Sequence, residues 1–149
     1  MTHSDPRNLK VHGEWEITLV RNVLVRSTAG SLNVAGMYAC FQEVKAKAPA
    51  TAWASLSNGS NWEMSSAEAL QTLKAMRQWV FSHHCACVAV VIPGLLRRNI
   101  HQRETGAAGE QNVRYFSSLE QACAWLSDRG FRITPEDYPH YAFLERTKF

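Results

Sequence analysis

The chain has 149 residues, of which 46% are hydrophobic and 19% are charged, and its formal net charge at pH 7 is +3. This composition is that of an ordinary globular protein, and the length allows one domain to bury a core without disulfides or metal. The mild positive charge excludes the strongly basic signature of a nucleic-acid-binding protein. We therefore predict a single domain over residues 1–149 that does not bind nucleic acid.

The N-terminus is polar through Lys10 and lacks the apolar stretch of a signal peptide. The longest strongly apolar run covers residues 85–92, which is the length of a strand and too short to span a bilayer. We therefore expect a cytoplasmic protein whose cysteines remain reduced thiols. These cysteines are Cys40, Cys85, Cys87 and Cys123.

Alternating apolar residues over positions 14–27 predict two paired strands, joined by a turn at Arg21 and Asn22. A helix is predicted next, with Asn33 as its N-cap and with Pro49 directly after its end. These elements predict a hairpin followed by a helix.

A short strand over residues 53–57 and a turn over residues 58–61 are predicted before the second helix. Ser65 and Glu68 have the spacing of a capping box, in which each side chain bonds the other residue's free backbone N–H. This pair predicts that the second helix begins at Ser65.

The continuously apolar residues 85–92 predict a strand that is buried on both faces, as in the middle of a sheet covered by helices. A basic amphipathic helix over residues 95–105 and a mobile segment over residues 106–111 are predicted to follow. Residues 113–116 then predict a short edge strand.

A second capping box, Ser117 with Glu120, predicts the start of the last helix, and Gly130 predicts its end. Residues 131–149 form a tail whose aromatic side chains we expect to pack on the domain. Residues 1–13 are predicted to form a loose arm. Strands that alternate with helices imply right-handed crossovers and a partly parallel sheet, which the initial hairpin makes mixed.

In this order of elements the chain resembles the STAS superfamily, whose members resemble the sporulation anti-sigma-factor antagonist. Local cues lie at Gly30-Ser31-Leu32-Asn33, in residues 53–58 followed by 65–70, and in residues 116–126. The resemblance covers about residues 14–130. It implies an α/β fold with a mixed four- to five-stranded sheet and about four helices, mainly on one face.

The resemblance also suggests a regulatory site. In the members that act as switches, a partner kinase phosphorylates a serine or threonine that follows an aspartate, at the start of the helix after the third strand. Ser65 and Ser66 hold the comparable place here and are candidate phospho-acceptors, although Glu63 and Met64 precede them and the aspartate is absent. The residues alone also fit a structural role, with Ser65 as a helix cap and Ser66 in the first turn.

The sequence contains candidate metal ligands but no metal-binding or catalytic motif. His83, His84, Cys85 and Cys87 are soft-metal ligands, but they lack the C-x-x-C loop of a zinc site. We expect both cysteines to share one face of a strand in the core, and we predict no metal and no cofactor. No nucleophile elbow, Walker sequence or dinucleotide glycine pattern occurs, so no catalytic residue is assigned.

The segment 95–103 is basic and amphipathic, with Arg97, Arg98 and Arg103 as candidate contacts to an anionic membrane or an acidic partner. The alternative is a short solvated helix that covers one sheet edge. Its apolar side is expected to face either the core or a lipid-like surface, and it comprises Leu95, Leu96, Asn99 and Ile100.

Tryptophan is abundant, and three of these side chains are candidates for an apolar ligand pocket: Trp53, Trp62 and Trp79. Core packing is the alternative role for them. Taken together, the sequence favours a non-enzymatic regulatory or ligand-binding module of STAS-like type, which acts on a protein partner or a small apolar ligand. A small enzyme with a dispersed active site and a peripheral membrane or acidic-partner binder are the alternatives.

Overall fold

Five strands form one sheet in this computed structural model, which describes residues 10–105 and 110–148. The strands are β1 (Glu14–Val20), β2 (Val23–Gly30), β3 (Trp53–Trp62), β4 (Cys85–Val91) and β5 (Val113–Phe116). The α-helices are α1 (Val34–Lys47), α2 (Ala67–Phe81), α3 (Leu95–Thr105), α4 (Leu119–Asp128) and α5 (Tyr141–Arg146). Most of the predicted loose arm, much of the predicted mobile segment and the last residue of the tail lie outside the described residues.

The strands lie side by side in the order β1-β2-β3-β4-β5. β1 pairs with β2 antiparallel, and the other neighbours pair parallel, which confirms the predicted mixed sheet. Because right-handed crossovers that advance in one direction leave their helices on one face, α1, α2 and α3 share a face. α4 and residues 131–148, here called the C-terminal segment, cover the opposite face. The prediction of helices mainly on one face is therefore confirmed.

The hairpin turn lies at Arg21 and Asn22, where the sequence predicted it, and Val20 pairs with Val23. Arg21 has a φ of 53°, in the left-handed region that such two-residue turns require. The helix α1 also begins as predicted, since the Asn33 side chain accepts a hydrogen bond from the backbone N–H of Gly36 at 2.8 Å.

The predicted turn over residues 58–61 is wrong, because β3 continues through these polar residues to Trp62. Their side chains find partners in the C-terminal segment. Asn58 Nδ2 donates to Tyr138 Oη at 3.0 Å, and Asn61 Nδ2 donates to the carbonyl of Leu144 at 2.8 Å. The β2–β3 register also shifts here, so the strand absorbs an irregularity instead of ending.

Both predicted capping boxes are wrong by one residue. The N-cap of α2 is Ser66, whose Oγ accepts from the backbone N–H of Ala69 at 3.1 Å. The N-cap of α4 is Ser118 rather than Ser117, and its Oγ accepts from Gln121 N at 3.3 Å. Two consecutive serines precede α2, and two precede α4. The three-residue spacing to a glutamate indicated the first serine of each pair as the N-cap, whereas the second serine caps the helix.

The prediction that Cys85 and Cys87 share one face of the strand is also wrong. The β3–β4 register shifts between them, so Ala86 forms a bulge and the two thiols point to opposite faces. Cys85 packs in the core under α1 and α2, and Cys87 packs in the core under α4. All four cysteines are free and buried.

Candidate functional site

The candidate phospho-acceptors lie in the loop that joins β3 to α2. Ser66 is exposed, and its hydroxyl caps α2. Ser65 is half-buried, and its Oγ accepts a hydrogen bond from Trp62 Nε1 at 2.9 Å. A phosphate at this place meets the free N–H groups and the positive dipole end of the helix. Ser66 is therefore the more accessible of the two hydroxyl groups.

The start of α3 lies next to the end of β3. Arg97 Nη1 donates to the carbonyl of Trp62 at 2.9 Å, and Arg98 Nη1 donates to the carbonyl of Ile92 at 3.0 Å. These two guanidinium groups therefore hold α3 against the carboxyl ends of the strands. Arg103 is exposed near the other end of the helix.

The predicted apolar side of α3 does not face the core. Leu95 is 66% exposed and Leu96 is 72% exposed, whereas the buried positions of the helix are His101 and Thr105. The reason is that His101 and Thr105 lie one turn apart and both bond inward to polar groups. The leucines thus remain at the surface.

A third exposed apolar residue follows Trp62, whose carbonyl accepts the bond from Arg97. Met64, in the β3–α2 loop, is 46% exposed, and its carbonyl accepts a hydrogen bond from Ser31 Oγ at 3.0 Å. We name the surface formed by Met64, Ser66, Leu95, Leu96 and Arg97 the carboxyl-end surface, because β3 and β4 both end there. It combines exposed apolar side chains with a helix N-terminus.

Below this surface, two arginines are buried between the sheet and its helices. Arg26 of β2 is 8% exposed, and it donates to Ser57 Oγ at 2.7 Å and to Cys40 Sγ at 3.8 Å. Arg77 of α2 is 5% exposed. All of these contacts of Arg26 are to neutral groups.

The partners of Arg77 are neutral as well. Its Nη1 donates to Thr105 Oγ1 at 3.0 Å and to Tyr115 Oη at 3.4 Å. Tyr115 Oη also lies 2.7 Å from His101 Nδ1. Burial, with the nearby charges of Arg77 and Arg26, lowers the pKa of His101 to about 3, so its imidazole is neutral at physiological pH.

Two small cavities adjoin the arginines. One of about 30 Å³ is lined by both Arg26 and Arg77, with Ser55 and otherwise apolar side chains around them. The other, of about 20 Å³, is lined by Arg26 and His101 among others. We name Arg26, Arg77 and these cavities the arginine chamber.

The three tryptophans proposed for an apolar pocket do not converge on one cavity. Trp53 lines the 30 Å³ cavity, and Trp62 lines the 20 Å³ cavity. Trp79 lies at neither cavity and stacks on the ring of His83, with ring centroids 4.0 Å apart. Sites for organic ligands have volumes of about 300–1,000 Å³, so neither cavity accommodates an apolar ligand as it stands.

The residues considered for metal ligation do not converge either. His83 and His84 are exposed, and the thiols of Cys85 and Cys87 point to opposite faces of the sheet. Within residues 10–105 and 110–148, no group of three or more His, Cys, Asp or Glu side chains is arranged to hold a metal ion. In the same part of the chain, no helix is long and apolar enough to cross a bilayer.

A serine–histidine pair lies on the opposite face of the sheet, where sequence reasoning placed no candidate. Ser27 Oγ lies 2.7 Å from His140 Nδ1, and His140 Nε2 lies 2.8 Å from Thr18 Oγ1. Tyr138 Oη also bonds Ser27 Oγ. The 2.7 Å between Ser27 Oγ and His140 Nδ1 is within the range found between a catalytic nucleophile and its base.

Burial argues against that chemistry. Ser27 is 0% exposed, and neither it nor His140 lines the arginine chamber. The group therefore joins the C-terminal segment to β1 and β2. Since 113 positions separate the two residues, no local sequence signal pointed to their contact.

Comparison with known proteins gives fold-level relationships. No family model and no curated protein sequence matches the chain. An anti-sigma factor antagonist from Mycobacterium paratuberculosis superposes with a TM-score of 0.58 and 20% identity, covering 78% of this chain and 96% of that one. An uncharacterised DUF3478-family protein with a SpoIIAA-like fold, from Shewanella loihica PV-4, superposes with a TM-score of 0.53 and 15% identity, covering 85% and 99%. The predicted α/β fold, with a mixed sheet similar to the SpoIIAA-like fold, is thereby confirmed.

Proposed function

We propose that this chain is a non-enzymatic regulatory module that binds a protein partner through the carboxyl-end surface. The observation that carries the proposal is the exposure of Met64, Leu95 and Leu96 beside the Ser66-capped start of α2. Large apolar side chains grouped at the surface of a domain mark interaction sites, because their burial against a partner is favourable. The partner presents apolar side chains to the leucines and acidic groups to the basic helix.

The fold relationship supports a protein partner. The Mycobacterium paratuberculosis neighbour is named an antagonist of an anti-sigma factor, which is itself a protein. The small volume of the arginine chamber, at about 20 and 30 Å³, favours protein contacts over an apolar ligand pocket. The burial of Ser27 and His140 favours a binding role over catalysis.

Ser66 is the proposed control point of this surface. A phosphoryl group there adds a charge of about −1.5 to −2 next to exposed apolar side chains. The N-terminus of α2 stabilises that charge within the free protein. Burial of the same charge under an apolar partner is unfavourable, so phosphorylation of Ser66 lowers affinity for the partner.

Site-specific photo-cross-linking in the source cells tests the docking surface. A photoreactive amino acid at Leu96 is expected to capture a discrete partner, and a Leu95→Asp change in the same chain is expected to abolish the capture. The control is Leu19 on β1, an exposed leucine, at 43%, that does not belong to the carboxyl-end surface. Equal capture from Leu19 and Leu96, or capture at Leu96 that survives Leu95→Asp, contradicts the proposal.

The phospho-switch is tested on the same cross-linked partner. Lysate treatment followed by mass spectrometry is expected to find phosphate on Ser66 rather than on half-buried Ser65. A Ser66→Glu variant is expected to reduce partner capture at least tenfold, whereas Ser65→Ala leaves it unchanged. Undiminished capture by Ser66→Glu refutes the switch while leaving the docking surface intact.

Membrane contact is a second candidate, favoured by the exposed Leu95 and Leu96 at the start of a helix that also carries exposed Arg103. Liposome sedimentation with and without anionic lipid tests it. Selective pelleting with anionic vesicles that Arg103→Ala weakens supports membrane binding. Equal pelleting with both vesicle types, or none with either, counts against it.

A further inference from the structure

We propose that Arg26 and Arg77 form a binding site for a small monovalent anion of the size of chloride, in the cavity between the sheet and α2. This site is separate from the carboxyl-end surface and does not depend on its role. The proposal rests on the charge, the hydrogen bonding and the size of the arginine chamber.

The first observation is buried charge without a counterion. Both arginine residues are more than nine-tenths buried, and arginine stays protonated inside proteins. The ion pairs formed among residues 10–105 and 110–148 involve neither of them. A buried charge that lacks an opposite charge strongly destabilises a fold, so the chamber as it stands favours the entry of an anion.

The second observation is unused hydrogen-bonding capacity. A guanidinium group has five N–H donors. Arg26 bonds one strong acceptor, Ser57 Oγ, and the weak acceptor Cys40 Sγ. Arg77 directs one nitrogen, Nη1, to two hydroxyl groups. The other N–H groups of both residues have no hydrogen-bond partner within residues 10–105 and 110–148, and they are accessible to solvent, because no fully buried side-chain nitrogen in that part of the chain lacks a partner. Both residues line the same cavity.

The third observation is the size and lining of that cavity. Its volume of about 30 Å³ exceeds the roughly 10–15 Å³ that one water requires, so a small anion fits in it. Apart from the arginines and Ser55, its lining is apolar, with Trp53 and Val88 among the side chains. In such surroundings the attraction between an anion and a guanidinium group is much stronger than in water.

His101 lies close to the positive charges of the same two arginines. Burial is the main reason for the lowered pKa of His101, and the charges of Arg77 and Arg26 lower it further. A neutral His101 adds no charge of its own, and its Nδ1 lies next to Tyr115 Oη instead of a carboxylate. An anion would therefore supply the negative charge that the arginine chamber lacks.

The test compares thermal unfolding in sodium chloride and in sodium gluconate at equal ionic strength, using the full chain. Chloride is expected to raise Tm saturably by several degrees over gluconate, because it binds only the folded state. Arg77→Met is expected to abolish this difference. Arg103→Met removes the same charge from an exposed position and is expected to keep it.

A second measurement does not depend on stability. The ³⁵Cl resonance of dilute chloride is expected to broaden with the wild type and with Arg103→Met, and to stay narrow with Arg77→Met. In bromide-soaked crystals, an anomalous peak is expected between the Arg26 and Arg77 guanidinium groups. The proposal is overturned by identical Tm values in chloride and gluconate, by equal broadening in all three proteins, or by bromide absent from the chamber.

Discussion

Replacement of His101 by Asn is expected to remove a large part of the acid sensitivity of this protein. Burial, Arg77 and Arg26 lower the folded-state pKa of His101 from 6.5 to about 3. Between these pH values the unfolded chain binds a proton that the folded chain does not bind. The stability that depends on neutral His101 is therefore fully present above pH 6.5 and is lost as pH falls toward 3.

The magnitude follows from the two pKa values. Each pH unit inside the window costs about 1.4 kcal/mol, so the wild type loses roughly 2.5 kcal/mol from this group between pH 7.5 and pH 4.5. Asn keeps a polar group near the position of Nδ1, beside Tyr115 Oη, but does not titrate. The His101→Asn variant is therefore less stable than the wild type at pH 7.5, and this deficit shrinks as the pH falls.

Urea unfolding followed by tryptophan fluorescence at four pH values from 4.5 to 7.5 measures the effect. The comparison with the variant is needed because His140 is also buried, and its pKa is lowered by burial in the same direction. His83→Asn, at an exposed histidine, controls for the loss of a histidine in general. Parallel stability curves for the wild type and His101→Asn would refute the reasoning.

Three further outcomes are expected. Ser66→Ala should lower the free energy of unfolding by about 1 kcal/mol through loss of the α2 cap, whereas Ser117→Ala, at an exposed serine that does not cap its helix, should cost less; equal costs in urea unfolding would contradict the capping assignment. Gly13→Ala should destabilise more than Gly130→Ala, because both have positive φ but only the Cβ at Gly13 meets a side chain, Leu32, at 2.7 Å; circular-dichroism melting compares them. The four cysteines, all buried, should react with a thiol reagent only on unfolding, and a fast native-state reaction would show that one is accessible.

The periodicity of the sequence was sufficient to predict the element order, the hairpin and the mixed sheet. Period-2 and period-3.6 patterns are produced by burial on one face, and this burial dominates the fold. The details that failed depend on contacts distant in sequence. The extension of β3 through Asn58 and Asn61 relies on Tyr138 and Leu144, whose positions no local pattern indicates.

The arginine chamber was missed although the sequence contained a signal for it. Arg77 lies four residues after Leu73 and three before Val80, which puts its side chain on the apolar stripe of α2. Arg26 lies two residues after Leu24, so both side chains are on the same face of β2, the face that α1 and α2 cover. A charged residue at a position where the pattern requires an apolar one is the informative observation.

Trp62 connects the two regions to which roles are proposed. Its carbonyl accepts from Arg97 of the carboxyl-end surface, and its indole N–H donates to Ser65, the neighbour of Ser66. The same ring packs edge-on against His101, with centroids 5.4 Å apart, and borders the smaller cavity of the chamber. Because Trp62 is buried and contacts both regions, a shift at one region can be transmitted to the other through it. Trp62 is therefore the residue at which coupling between anion binding and partner binding is to be sought first.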